Sequence, residues 1–113
     1  MSKYYDLSDV NEMAGGDQDF LKVIVQTFLE EIPPDVNSMI EAIENANPSL
    51  AYQYAHKMKP NLQLFGLNLM EQILTIEAWS RGTENAENAA EAGNRISKKV
   101  NLAQHQLKED FDL

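Results

Sequence analysis

His56 is the residue on which chemistry can be built. It is one of only two histidines in a 113-residue chain that has no cysteine. A histidine is partly neutral near physiological pH, so its imidazole offers a lone pair as nucleophile or base. It stands in the stretch Ala55-His56-Lys57-Met58-Lys59-Pro60-Asn61-Leu62-Gln63-Leu64-Phe65-Gly66, with two lysines within three residues of it. The chain carries 18 Asp and Glu against 9 Lys and Arg, a net charge of −9, yet no acid occurs from Ala46 to Met70. An even spread would place roughly four there. The expected result is a locally positive island on a negative molecule, where an anion at His56 is welcomed rather than repelled.

That stretch needs a helix to position it. Ala51, Ala55, Met58, Leu62 and Phe65 recur at steps of four, three, four and three, an apolar seam at helical spacing. His56 lies two residues from Met58, about 200° around at roughly 100° per residue, so it points away from the seam. Its face carries Ser49, Tyr52, Gln53, Lys59, Pro60 and Gln63 and should meet water. Pro60 has no N–H for the carbonyl four residues back, which is that of His56. Proline in a generic helix interior costs about 3 kcal/mol, and here the loosening falls on the histidine's own turn. Such a departure beside an exposed histidine suggests a site; a plain kink that suits the packing is the simpler alternative.

The remaining elements are helical too. Tyr5 to Ala14 reads as a short helix, capped by Asp6 or Ser8 and stopped at Gly15-Gly16. Asp17 caps a second, with Phe20, Leu21, Ile24, Val25, Phe28, Leu29 and Ile32 as its stripe and Val23 off it. Pro33-Pro34 means either a new start or a bend, and Val36, Met39, Ile40 and Ile43 continue to about Asn45. Asn47 as N-cap and Pro48 at the first helical position open the histidine helix, which runs to about Phe65. A fourth spans about Asn68 to Arg81, with Leu69, Met70, Ile73, Leu74, Ile76 and Trp79 as its apolar residues. Thr83 with Glu84 and Glu87 begins the last, about Glu84 to Leu107. Small residues near its start, Gly93 among them, point to close packing, and Lys108 to Leu113 should fray. No segment reads as a strand. Short connections between amphipathic helices make neighbours antiparallel. The fold class is all-α, an antiparallel up-and-down bundle of about four main helices plus a short N-terminal one, in a single domain over residues 1–113.

Composition narrows the function classes. Hydrophobic residues make up 43% of the chain, enough for a core. The charge of −9 argues against nucleic acid and anionic membranes as partners. The start Met1-Ser2-Lys3-Tyr4-Tyr5-Asp6 is too polar for a signal peptide and no apolar run approaches bilayer length. The lack of cysteine agrees with a reducing compartment. The expectation is a soluble, cytoplasmic, monomeric protein.

The stretch Ala55 to Gly66 resembles the signature of histidine-containing phosphotransfer (HPt) domains of multistep phosphorelays. That signature has an Ala-His pair, an apolar residue two after the histidine, a lysine three after and a glycine ten after. Ala55, His56, Met58, Lys59 and Gly66 stand at those spacings. The run Phe20-Leu21, Ile24-Val25, Phe28-Leu29-Glu30-Glu31 looks like the family's second helix, and the resemblance covers roughly residues 5 to 82. Two positions depart from the pattern: Pro60 stands where Gly is usual, and Asn61 where Ser or Ala is. The family often has Glu or Gln 22 positions after the histidine; Glu77 falls 21 after, and that role is not carried over.

The resemblance implies a phosphoryl carrier rather than an enzyme. His56 would be the phosphoacceptor and Lys59, one turn along, would stabilise the added oxygens. Lys57, Pro60 and Gln63 would support, and Met13, Val23 and Leu64 are candidate apolar contacts for a partner. The implied partners are response-regulator receiver domains and a hybrid sensor kinase. No cofactor is implied for this chain, since the Mg²⁺ of the reaction would sit on the receiver domain. Three other readings stand beside this one. In an interaction module His56 is incidental, which Pro60 and Asn61 favour. A metal-binding bundle has a poor ligand set, because Gln53 and Leu102 stand three before His56 and His105 where Glu-x-x-His would need Glu. A hydrolase pairing His56 with a carboxylate finds none in the acid-free stretch. His105 reads as a surface residue.

Overall fold

The computed structural model describes residues 4–113, so the polar start Met1-Ser2-Lys3 lies outside the described residues. Among them the chain forms α1 (Ser8–Ala14), α2 (Gln18–Glu44), α3 (Pro48–Leu64), α4 (Met70–Ser80) and α5 (Ala86–Asp110), and no strand. Helix α2 packs on α3 and α5, α4 packs on the same two, and α1 lies against α2. This closes a four-helix ring with one short addition. Lys57 meets Asp35 while Phe65 meets Phe28, so α3 runs antiparallel to α2. Gly93, near the start of α5, abuts Met39, Ile40 and Ile43, near the end of α2, so that pair is antiparallel as well. The fold is an up-and-down helical bundle.

Capping chemistry sets most boundaries. The Asp17 carboxylate accepts the N–H groups of Asp19 and Phe20, and the Asn47 side chain accepts that of Leu50. At α1 the capping comes from one residue further back than the helix boundary. Leu7 is the N-cap without a side-chain bond, while Asp6 accepts both the N–H and the hydroxyl of Ser8. Thr83 proves to close α4 rather than open α5: its hydroxyl donates to the Ala78 carbonyl. Asn85 opens α5 by accepting from the Asn88 N–H.

Helix α2 continues unbroken through Pro33 and Pro34. The prolines leave the Leu29 and Glu30 carbonyls without their helical donors. The stripe nevertheless stays in register, with Val25, Phe28 and Ile32 buried before the prolines and Val36, Met39 and Ala42 buried after. Tertiary packing holds the helix across the gap. The chain's end is ordered as well, against the expectation of fraying. Helix α5 reaches Asp110, whose carboxylate accepts from the Tyr5 hydroxyl, and Phe111 packs against the core. Two stripe assignments fail for a geometric reason. Phe20 is exposed at the first turn of α2, and Leu74 is exposed on the outer side of α4.

Gly66 is the one glycine whose lack of a side chain is demanded twice over. Its φ is +65°, and a Cβ there would lie 2.7 Å from the Cβ of Asp6. The N-terminal segment crosses at this point, with the Asp6 N–H donating to the Phe65 carbonyl at 2.8 Å.

Candidate functional site

Helix α3 buries Ala51, Ala55, Met58 and Leu62, with Phe65 buried just past its end, and turns His56 outward. His56 is exposed, and its ring nitrogens make no hydrogen bond among the described residues. The helix continues through Pro60, so the His56 carbonyl lacks its regular donor while the turn is kept. The exposed histidine and the loosened backbone therefore coincide.

Two polar links flank the histidine, one toward each neighbouring helix. Toward α2, the Lys57 ammonium donates to the Asp35 carboxylate at 3.2 Å. Asp35 is the buried charged residue of the described chain, and Lys57 leans over it with 64% of its side chain in water. Toward α4, the Tyr52 ring stands 5.6 Å from the His56 ring at 62°, an edge-to-face contact one helical turn back. The Tyr52 phenol is pushed up from its ordinary value, first by partial removal from water and then by the neighbouring Glu77 carboxylate. Glu77 is in turn paired with Arg81 at 3.2 Å.

These links revise the charge pattern. The acid-free stretch is acid-free only along the chain, because α2 and α4 deliver Asp35 and Glu77 to its two sides. Each is matched by its own cation, Lys57 or Arg81. Lys59 is the lysine of the stretch that makes no ion pair among the described residues. It is half-buried and lies three residues along the His56 face. The positive charge available to an anion at His56 is thus that of Lys59, with Lys57 already engaged.

Gln63 and Pro60 are exposed near that face, Gln63 two turns along from His56. Met13 and Val23 are exposed, at 56% and 52%, whereas Leu64 is half-buried against the core and offers little to a partner. Phe20 joins Val23 on the outside of α2, a neighbour that the stripe assignment hid. His105 is exposed on α5, remote in sequence from the site.

Sequence reading missed Tyr52, Asp35, Glu77 and Arg81 as participants. Tyr52 had a usable signal, its position four before His56 on a helix. Asp35 had none, because the contact joins residues 22 apart through a double-proline helix. Among the described residues, no group of three or more His, Asp or Glu side chains converges as a metal site. No helix of the described residues is long and apolar enough to cross a membrane. Comparison with protein-family models, with curated proteins and with solved structures gives no match for this chain. What fold and site together define is a four-helix-ring bundle with an exposed, ring-braced histidine on its second long helix.

Proposed function

We propose that the chain is a cytoplasmic phosphorelay carrier that takes a phosphoryl group on His56 from the aspartate of a receiver domain and passes it to another. The observation that carries this reading is the exposed His56, whose ring nitrogens make no hydrogen bond among the described residues, with Lys59, which makes no ion pair among them, on the same face. The unprotonated ring nitrogen attacks the phosphorus of an aspartyl phosphate. A P–N bond forms, the P–O bond to the aspartyl group breaks, and the carboxylate leaves. The proton on the other ring nitrogen then passes to water. The second transfer is the reverse reaction on a different receiver. Phosphoryl transfer asks mainly for positioning and charge stabilisation. Lys59 supplies the charge to the added oxygens. The Mg²⁺ belongs to the receiver, and the chain turns over nothing by itself.

The test is transfer from a phosphorylated receiver domain, with a receiver panel from the same cell and His56→Gln beside the wild type. Label on the wild type alone, lost in acid and stable in alkali, is the expected result. No label from any receiver on a folded protein would replace this reading with an interaction module built on the exposed Met13, Phe20 and Val23.

A further inference from the structure

Tyr52 meets His56 on one side and faces a charged pair of α4 on the other, an arrangement that the phosphoryl carrier reading does not require. One end of its ring meets His56 edge to face at 5.6 Å. The other end faces α4, where the Glu77 carboxylate is close enough to bear on the phenol. Glu77 pairs with Arg81, the residue just past the end of α4, with 24% of the Glu77 side chain exposed against 71% for Arg81. The succession is therefore histidine, tyrosine, carboxylate, guanidinium, and it crosses from α3 to α4. An exposed helical histidine otherwise moves between χ1 wells on a fast timescale. A ring contact worth about 0.5–1.5 kcal/mol is enough to favour one well several-fold.

From the Tyr52–His56 ring contact and the Glu77–Arg81 pair facing it on α4, we infer that Glu77 tethers the Tyr52 phenol and that Tyr52 is a positioning residue that keeps the His56 ring in one orientation for in-line attack. This rests on the phosphoryl carrier reading for its consequence and on the geometry of α3 and α4 for its existence. Removal from water and the neighbouring carboxylate both disfavour the phenolate. Arg81 has a second effect. It neutralises Glu77, which would otherwise repel an incoming phosphoryl group from the Tyr52 side.

Two readouts on the full chain test this. The first is the set of ring-proton NMR signals of His56, with those of His105 as the internal reference. In the wild type the His56 signals are displaced by the Tyr52 ring current and those of His105 are not. Tyr52→Leu brings the His56 signals to the His105 values. Tyr52→Phe keeps the ring but drops the tether and shrinks the displacement, as does Glu77→Ala with the tyrosine intact. The second readout is the rate and final extent of phosphoryl uptake from a receiver. Tyr52→Phe slows uptake by about 3- to 10-fold through lost orientation, with the final extent unchanged. A purely structural tyrosine would lower the melting temperature and leave the uptake rate of the folded fraction as it was. Unmoved His56 signals in Tyr52→Phe and Glu77→Ala, with unchanged uptake, overturn the inference. Signals that move as described in a protein that accepts no label overturn the carrier reading, and with it the kinetic role, while the ring contact stands.

Discussion

His56 and His105 are both exposed residues in the interior of long helices, and both helices pack between α2 and α4. Their surroundings differ. His56 has an aromatic ring against it, a neighbour, Lys57, ion-paired to α2, and an N–H missing from its own turn. His105 makes no ring contact, ion pair or hydrogen bond among the described residues, and Lys108 and Glu109 one turn along are themselves exposed. Exposure alone therefore distinguishes nothing here. A candidate nucleophile is marked by neighbours that fix where its ring points and what charge surrounds it.

The sharpest way to break that contrast is to exchange the histidines' fates. His56→Gln should abolish phosphoryl uptake, and His105→Gln should leave it within about twofold. Label remaining on the His56 variant would erase the distinction. Next in size is the support beneath each helix. Phe28→Ala removes a ring 4.3 Å from Phe65 under the end of α3 and should lower unfolding free energy by about 3–5 kcal/mol in a denaturant titration. Leu102→Ala, on the partly exposed flank beside His105, should cost well under half of that.

Gly66→Ala should cost about 2 kcal/mol, because the new Cβ meets both a positive φ and the Asp6 backbone. Gly15→Ala has the same backbone handedness but open space, so its thermal shift should be smaller. Tyr5→Phe should cost about 1 kcal/mol at neutral pH by removing the bond to Asp110 that ties down the end of the His105 helix. Burial first, then Asp110, hold the Tyr5 phenol above its ordinary value. Its folded value exceeds its unfolded one, so its contribution is complete below about pH 10 and is lost as pH rises toward the folded value. The wild type should thus lose stability more steeply in alkali than Tyr5→Phe, and equal slopes in urea melts above pH 10 would count against the assignment. The smallest effect is that of Asp35→Asn. It should cost about 1 kcal/mol or less, since the Lys57 end of the pair stays in water. It should also free Lys57 to act beside Lys59 on an anion at His56.

The fold was largely legible because its signals are local. Asp17 and Asn47 announce helix starts through side chains that accept nearby N–H groups, and Gly15 announces an end through its left-handed backbone. Open and mistaken readings came where a local signal had two meanings. Pro33-Pro34 marks a possible start or a tolerated gap, and only the shared core stripe on both sides decides for the gap. Thr83 is equally suited to begin a helix or to cap the carbonyls of the preceding one. The tail from Lys108 is polar enough to fray, and it is ordered by Tyr5, a residue from the opposite end of the chain.

At the candidate site the division is similar. The outward direction of His56, the buried seam opposite it and the missing N–H at Pro60 follow from residue types and the angle per residue of a helix, so the sequence by itself determined them. The charge around the histidine did not follow, because charges act through space and not along the chain. A stretch without acids became a site flanked by Asp35 and Glu77 once α2 and α4 closed on α3. The same closure placed Tyr52 between His56 and α4. Which cation stays available to an anion, Lys59 rather than Lys57, was settled only by which side of α3 happened to face a buried carboxylate.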